Sequence, residues 1–449
     1  MHKTAITLAF ILFAVSSLFS QQRLTQQEVD TKTFALYNAA KWDELITQGE
    51  AAIENNIDFF FLRMRIGIAY YSREDYMSAI PHFEKALELS STDITAKEYL
   101  YYSYLFSGRE GDVLALIYDM PKKLKKKLGV QSKFIYGAYA EGGYTANSDY
   151  DRQKSAINKN LPVNYNQQSL TKDGSYISLN LMHQLGRDVK IFHGYNNISV
   201  NKSEQLTGLF QGMMNFDTKA VQDEYYLNVN INLGSGWNLA PAFHLLRVKF
   251  KNIYLEYDNI ANPPGPIFTE TSSTINNYVY FLSLAKSAGH FRFGLKNSFS
   301  NLNGGKQIQN TAEIIFYPFG NLNLYTVTDA TVFSSKGAMG KYKSFGIVDQ
   351  KIGWKTFDYL WMEAGYTFGQ IYNFNESDAY IVFNNINKYS DRISFNLISP
   401  VSSSIELSLR YQYYNEEIPT LLYSNADQYT TIFTKNNNHK IIGGIKWTF

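Results

Sequence analysis

Cysteine is absent from the 449 residues. That excludes a disulfide scaffold, thiolate metal sites, cysteine nucleophiles and a lipid-modified N-terminal cysteine. Proline is scarce, at 10 residues. Net charge is nearly so, at a formal +2, which gives neither the basic footprint of a nucleic-acid binder nor an acidic tail. Past the N-terminus no apolar run reaches the ~18 residues of a membrane helix. Aromatic residues, by contrast, make up 16% of the chain, with 35 Tyr and 31 Phe, while the mean hydropathy is negative. A chain rich in aromatics yet polar on average suits walls with one greasy and one wet face.

Residues 1–20 read as a secretory signal. His2 and Lys3 supply the positive start, Ala5 to Val15 the apolar stretch, and Ser20 a small residue before cleavage at Gln21. Residues 21–120 carry a 3.6-residue apolar period and a repeat near 34 residues. Its clearest copy is Ile66-Gly67-x-x-Tyr70 followed by Ala79-x-x-x-Phe83-x-x-Ala86. Gly67 and Ala79 are small where two antiparallel helices would cross, and Tyr70, Phe83 and Ala86 would fill the seam. One step back, Leu36, Trp42, Leu45 and Ala52 occupy the matching places; one step forward, Tyr101, Tyr104 and Val113 do so, with Ser107-Gly108 at the turn. The spacing predicts three tetratricopeptide-like (TPR) hairpins in the periplasm. Such a stack either grips a partner protein in its groove or merely caps the C-terminal two-thirds of the chain.

Pro121 closes the last helix, and five lysines (Lys122, Lys123, Lys125, Lys126, Lys127) make 121–130 a basic linker. They form either an ordinary solvated face or a positive collar against anionic lipid headgroups.

From 131 to 449 the period switches from 3.6 to 2. Leu227, Val229, Ile231 and Leu233 alternate with Tyr226, Asn228, Asn230 and Asn232; Phe291, Phe293 and Leu295 alternate with Arg292, Gly294 and Lys296. Ile405, Leu407, Leu409 and Tyr411 alternate with Glu406, Ser408 and Arg410, and Ile441, Gly443, Ile445, Trp447 and Phe449 alternate likewise. Alternation alone fits a soluble sandwich as well. Connections decide between them. Tight turns near 186–188, 234–236, 287–289, 318–320, 355–357 and 400–402 interleave with longer polar stretches near 145–171, 203–222, 251–274, 301–306, 334–341, 372–390 and 416–436. Short inner turns and long outer loops are the asymmetry of an outer-membrane barrel, here with about 14 strands (range 12–16). Fold class is therefore α plus transmembrane β.

On this register the lumen receives Arg292, Lys296, Glu313, Asp329, Asp349, Lys351, Glu363, Arg392, Glu406 and Arg410. With five acids and five bases, the set predicts cross-lumen ion pairs that narrow or fill a pore, rather than a single-sign selectivity ring. Trp447 and Phe449 at every second position read as the signal engaged by the barrel-assembly machinery. No catalytic triad spacing, phosphate loop or histidine pair at metal-ligating spacing occurs, so no enzyme and no cofactor or metal is expected.

Signal, helical repeats and barrel in this order resemble the exopolysaccharide export porins and the smaller YaiO-type outer-membrane proteins. The resemblance covers the whole chain by architecture, and no functional motif carries over. It implies a channel or export component for a polysaccharide or other solute, with the repeats docking a periplasmic protein. The alternative is a non-conducting scaffold of a secretion or envelope-assembly complex. Outer-membrane lipids and the assembly machinery are the remaining expected partners.

Overall fold

The structure is a computed structural model that describes residues 25–160, 166–208, 212–258, 260, 265–336, 342–384, 387–423 and 429–449. The signal segment 1–20 lies outside the described residues. Two compact units divide at Ser107/Gly108.

The first unit holds five helices: α1 (Gln26–Asn38), α2 (Trp42–Glu54), α3 (Phe60–Ser72), α4 (Tyr76–Leu89) and α5 (Ile94–Phe106). Thr25 and Glu28 close a capping box on α1, and the Asp75 and Asp93 side chains cap α4 and α5. Helices α1, α3 and α5 begin 34 residues apart, and α2 and α4 keep the same step. Equivalent positions share a fate: Leu45, Ala52, Ala79, Phe83 and Ala86 have no exposure. Gly67 is small for a reason, because a Cβ there would stand 2.7 Å from the Phe83 ring. Tyr70 is only half-buried, stacked on His82 with ring centroids 5.5 Å apart.

Arg63 on α3 anchors a polar chain. Its guanidinium binds Asp58 at 2.7 Å and approaches His82, which reaches Glu50 at 3.1 Å. Hydrogen bonds from Arg63 and His82 hold the Asp58 and Glu50 carboxyls below their ordinary range.

The second unit begins with α6 (Glu110–Asp119) and α7 (Lys122–Leu128). The division thus falls ahead of the boundary expected at 120. The reason is packing: α6 contacts the barrel, with Asp112 accepting from Asn232 at 3.0 Å and Leu114 carbonyl accepting from Gln184 at 3.2 Å. The expected linker 121–130 is a helix. Leu124 is buried, and Gly129 at φ +68° lets the Val130 amide cap the Lys125 carbonyl.

Fourteen antiparallel strands close a barrel: β1 (Ile135–Asn147), β2 (Asn166–Leu185), β3 (Val189–Gly208), β4 (Gly212–Gly234), β5 (Trp237–Asp258), β6 (Gly265–Ala288), β7 (Phe291–Ser300), β8 (Lys306–Phe316), β9 (Leu324–Lys336), β10 (Tyr342–Phe357), β11 (Leu360–Ile371), β14 (Lys388–Pro400), β15 (Ile405–Tyr423) and β16 (Tyr429–Thr448). Closure pairs β1 with β16, and the Phe449 amide donates to Tyr136 carbonyl at 2.9 Å. Helix α8 (Tyr150–Asn160) lies between β1 and β2, and a small hairpin, β12 (Phe374–Glu376) with β13 (Ile381–Phe383), between β11 and β14.

The described residues of the polar stretches 203–222, 251–274 and 416–436 are largely strand, not loop, with β4 and β6 reaching 23 and 24 residues. A membrane strand needs only ~9–11 residues. Ladder pairing continues past the apolar band because its hydrogen bonds do not depend on side-chain polarity. The turn expected at 355–357 lies two residues on, since the β10–β11 ladder runs to Phe357↔Leu360.

The outer face shows that band. On β4 the outward side chains from Tyr225 to Leu233 are Tyr, Leu, Val, Ile and Leu. Beyond Tyr225 the face turns polar at Asp223, which accepts from Tyr195 at 2.5 Å and Asn197 at 2.9 Å. Tyr366 likewise donates to Asp391 at 3.0 Å. At the turn end Phe291 stacks on Phe316, and Trp447 meets Phe449 at 4.8 Å between centroids. Aromatics therefore border the apolar band on both sides.

Candidate functional site

The lumen is the site, and a segment expected as an outer loop occupies it. Residues 372–384 turn inward, and their hairpin crosses the barrel interior. Side chains from many strands meet it. Gln309 on β8 donates to Asn375 carbonyl at 2.7 Å, and the Asn375 amide side chain donates to Ser298 on β7 at 2.8 Å. Glu376 pairs with Arg392 on β14 at 2.7 Å. Asn384 donates to Gln222 on β4 and Asn277 on β6. Phe374 is buried with Ile347 and Ile371.

The tip carries the tightest fit. Ser377, Asp378 and Ala379 have φ of 53°, 56° and 64°, three successive non-glycine residues in the left-handed region. Such backbone costs roughly 1–3 kcal/mol per residue and persists only where the surroundings fix it. Here they do. Ala379 is fully buried against Tyr226, Leu246, Val279 and Leu302. Tyr226 donates to Asp378 carbonyl at 2.8 Å, and His244 Nδ1 lies 2.8 Å from Ala379 carbonyl. The other nitrogen of His244 meets Glu224 at 3.1 Å, so the ring is held between the wall and the hairpin. Tyr380 then reaches the β2 wall, its hydroxyl within 2.7 Å of Ser178 and 3.0 Å of Asn180.

Among the described residues the hairpin borders an outer and an inner cavity. The outer one, about 1030 Å³, is lined on one side by aliphatic residues of β3, β5 and β6, among them Ile198, Val200, Val248 and Ile275. Around its floor stand Tyr176, Phe383, Tyr414, Arg410 and Lys440. The inner one, about 510 Å³, is lined by Glu110, Lys190, Glu363, Glu406 and Lys446. Both share Glu141, Tyr380, Ile381 and Arg410, which places the hairpin and Arg410 at their boundary.

All ten charged candidates sit on the inward-alternating positions. Seven join ion pairs: Arg292 and Lys296 on Glu313 at 2.5 Å each, Lys296 on Asp329 at 3.4 Å, and Lys351 and Arg392 on Asp349 at 3.1 Å each. These pairs run along one wall, not across the lumen as expected. The ladder explains it, since Glu313, Asp329 and Asp349 are directly opposite one another on neighbouring strands and need interleaved cations. Glu363 accepts instead from Tyr325 at 2.5 Å and Asn396 at 2.6 Å. Glu406 and Arg410 line the inner cavity.

At the turn end, α6 reaches the inner cavity through Glu110, whose carboxylate meets Lys190 at 3.0 Å. Lys190 holds that carboxyl down at about 2. Arg187 binds Asp119 at 2.8 Å, a second tie between this helix and the wall.

His183 and His193, ten residues apart in sequence, meet across the β2–β3 hairpin with Nε2 atoms 2.9 Å apart. Among the described residues no group of three metal-ligating side chains forms.

No family model matches the sequence, and no curated protein matches it. Among solved structures, the Pseudomonas putida toluene transporter TodX aligns with TM-score 0.44 at 8% identity, over 75% of this chain and 92% of that one. A Pseudomonas aeruginosa FadL homologue aligns with TM-score 0.42 at 9% identity, over 70% and 90%. The anion-selective porin from Comamonas acidovorans aligns with TM-score 0.34 at 9% identity, over 70% and 98%.

Proposed function

We propose that this protein is an outer-membrane barrel that carries a small solute through a lumen closed at mid-depth by the β12–β13 hairpin. One observation carries the reading: two cavities lie on either side of a segment whose Tyr380 and Ile381 line both. The outer chamber has the size of a single-ligand pocket rather than of a polymer conduit. A polysaccharide chain would pass only with the hairpin withdrawn, so the small solute is the better cargo. The apolar band bordered by aromatics supports insertion in a bilayer, with lipid against Leu227, Val229 and Ile231. The Trp447 and Phe449 strand then serves recognition by the assembly machinery. The 34-residue step of the helices supports a TPR-type module, which on this topology is periplasmic and docks a partner protein.

A second reading, a non-conducting scaffold, draws on the many hydrogen bonds that hold the hairpin in place. Flux into liposomes separates the two. Passage of small uncharged and charged solutes with exclusion of oligosaccharides supports the solute channel. Absence of flux for every solute, from protein that is folded and inserted, favours the scaffold.

A further inference from the structure

We propose that Arg410 and Lys440 form an anion-recognition element at the floor of the outer chamber, and that its ligand is an organic anion with an aromatic or other apolar body. The proposal rests on reading the lumen as a solute passage, and it names the chemistry of what enters.

The two cations are neighbours. Arg410 lies opposite Ile442 and Gln412 opposite Lys440 in the β15–β16 ladder, so the two basic side chains are diagonal on the luminal face. Like charges this close repel unless a counterion intervenes. Among the described residues neither has a carboxylate within ion-pair distance; Lys440 instead lies over the Tyr176 ring, 5.4 Å from its centroid.

The nearby carboxylates are engaged elsewhere. Glu141 accepts from Tyr139 at 2.5 Å and Tyr176 at 2.6 Å. Glu224 takes His244 and Asn196, and Glu416 takes Asn387 and Asn436. The contrast with the β7–β10 wall, where cations and carboxylates interleave, is the signal. There each cation touches a carboxylate; among the described residues Arg410 and Lys440 touch none, and a cavity stands beside them.

The rest of the chamber specifies the body of the ligand. Ile198, Val200, Val248 and Ile275 give an aliphatic wall, and Phe383 and Tyr414 add aromatic rings to the lining. An inorganic anion would leave that apolar surface uncovered, and a neutral hydrocarbon would leave the cations unpaired. A guanidinium also fits a planar carboxylate by two parallel hydrogen bonds, which an ammonium alone does not.

Binding of 2-naphthoate and of its neutral analogue 2-naphthamide to the full-length protein in nanodiscs, by calorimetry, tests this. Wild type is expected to bind naphthoate more tightly, with affinity falling as salt is raised. Arg410→Gln and Lys440→Gln should each lose about tenfold for naphthoate while leaving naphthamide unchanged, as expected for a lost charge-assisted contact. Arg410→Lys should recover part of the loss, and the exposed Lys343→Gln should lose nothing. Heat modifiability on gels shows that each variant is folded. Equal binding of both compounds to wild type and variants overturns the anion element while leaving the chamber intact. Binding of neither compound to a protein that still conducts solutes overturns the ligand class. Binding of neither together with no flux overturns the passage reading itself.

Discussion

Tyr226, in the barrel wall, donates its hydroxyl proton to the backbone carbonyl of Asp378, 152 residues later, at 2.8 Å. The bond joins β4 to the tip of a hairpin whose backbone is strained at three successive residues, and His244 makes the parallel tie to Ala379. Tyr226→Phe removes one neutral hydrogen bond, worth about 1 kcal/mol. His244→Ala also removes one contact of the buried Glu224 carboxylate, leaving Asn196 and Gln222, and should cost more. Both variants should raise the frequency of open-state flicker in single-channel records, His244→Ala more than Tyr226→Phe. Unchanged records from His244→Ala would mean the tip is held without these ties.

The seat of α6 should depend on acid. Glu110 has its folded pKa depressed to about 2 by Lys190. A depressed carboxyl contributes stability at pH values above its unfolded pKa, near 4.3, and loses it as pH falls through the folded value. Hydrogen exchange across 110–119 should therefore quicken between about pH 4.3 and 2. Glu110→Gln should show faster exchange already at neutral pH and no further change from this group in that window.

Helix α3 and helix α4 meet where Gly67 faces Phe83. Phe83→Ala should destabilise the helical unit by about 3–5 kcal/mol through the cavity it leaves. Gly67→Ala should cost about 1–3 kcal/mol, because the ring must move. Combined with Phe83→Leu, Gly67→Ala should cost less than alone. Urea melts followed by hydrogen exchange in 60–89 check both, and an additive double variant would place the two residues out of contact.

The lipid face can be probed at Val229, an outward residue inside the apolar band of β4. Val229→Arg should lower unfolding free energy in lipid by about 2–4 kcal/mol, the cost of arginine near the bilayer midplane. The same change at Asn230, which faces inward, should cost less. Equal costs at the two positions would remove the membrane reading of the band.

Much of this is legible in the sequence. The period-2 stretches place Leu227 to Leu233 outward and Asn228 to Asn232 inward, and counting hairpins yields the 14 strands. The 34-residue register locates the helix starts, because each repeat must bury the same face. The lumen is legible only as a roster of inward charges. Nothing in Phe374 to Phe383 distinguishes a hairpin folded inward from a polar loop in water, since its partners Gln309, Tyr226 and His244 lie far off in sequence. His244 in particular reads as an isolated strand histidine; its two partners, Glu224 and Ala379, are known only from the fold. The balanced charges suggest bridges across the lumen because sequence gives the face of a residue but not its opposite number around the barrel.

The sharpest test of a closed lumen is the single-channel conductance of wild type against a variant with 374–383 replaced by a short glycine-serine connection. If the hairpin closes the lumen at Tyr380, wild type should show small, infrequent openings and the variant a larger, steady conductance with the same heat modifiability. Identical conductance in the two, from barrels equally folded and inserted, would contradict it.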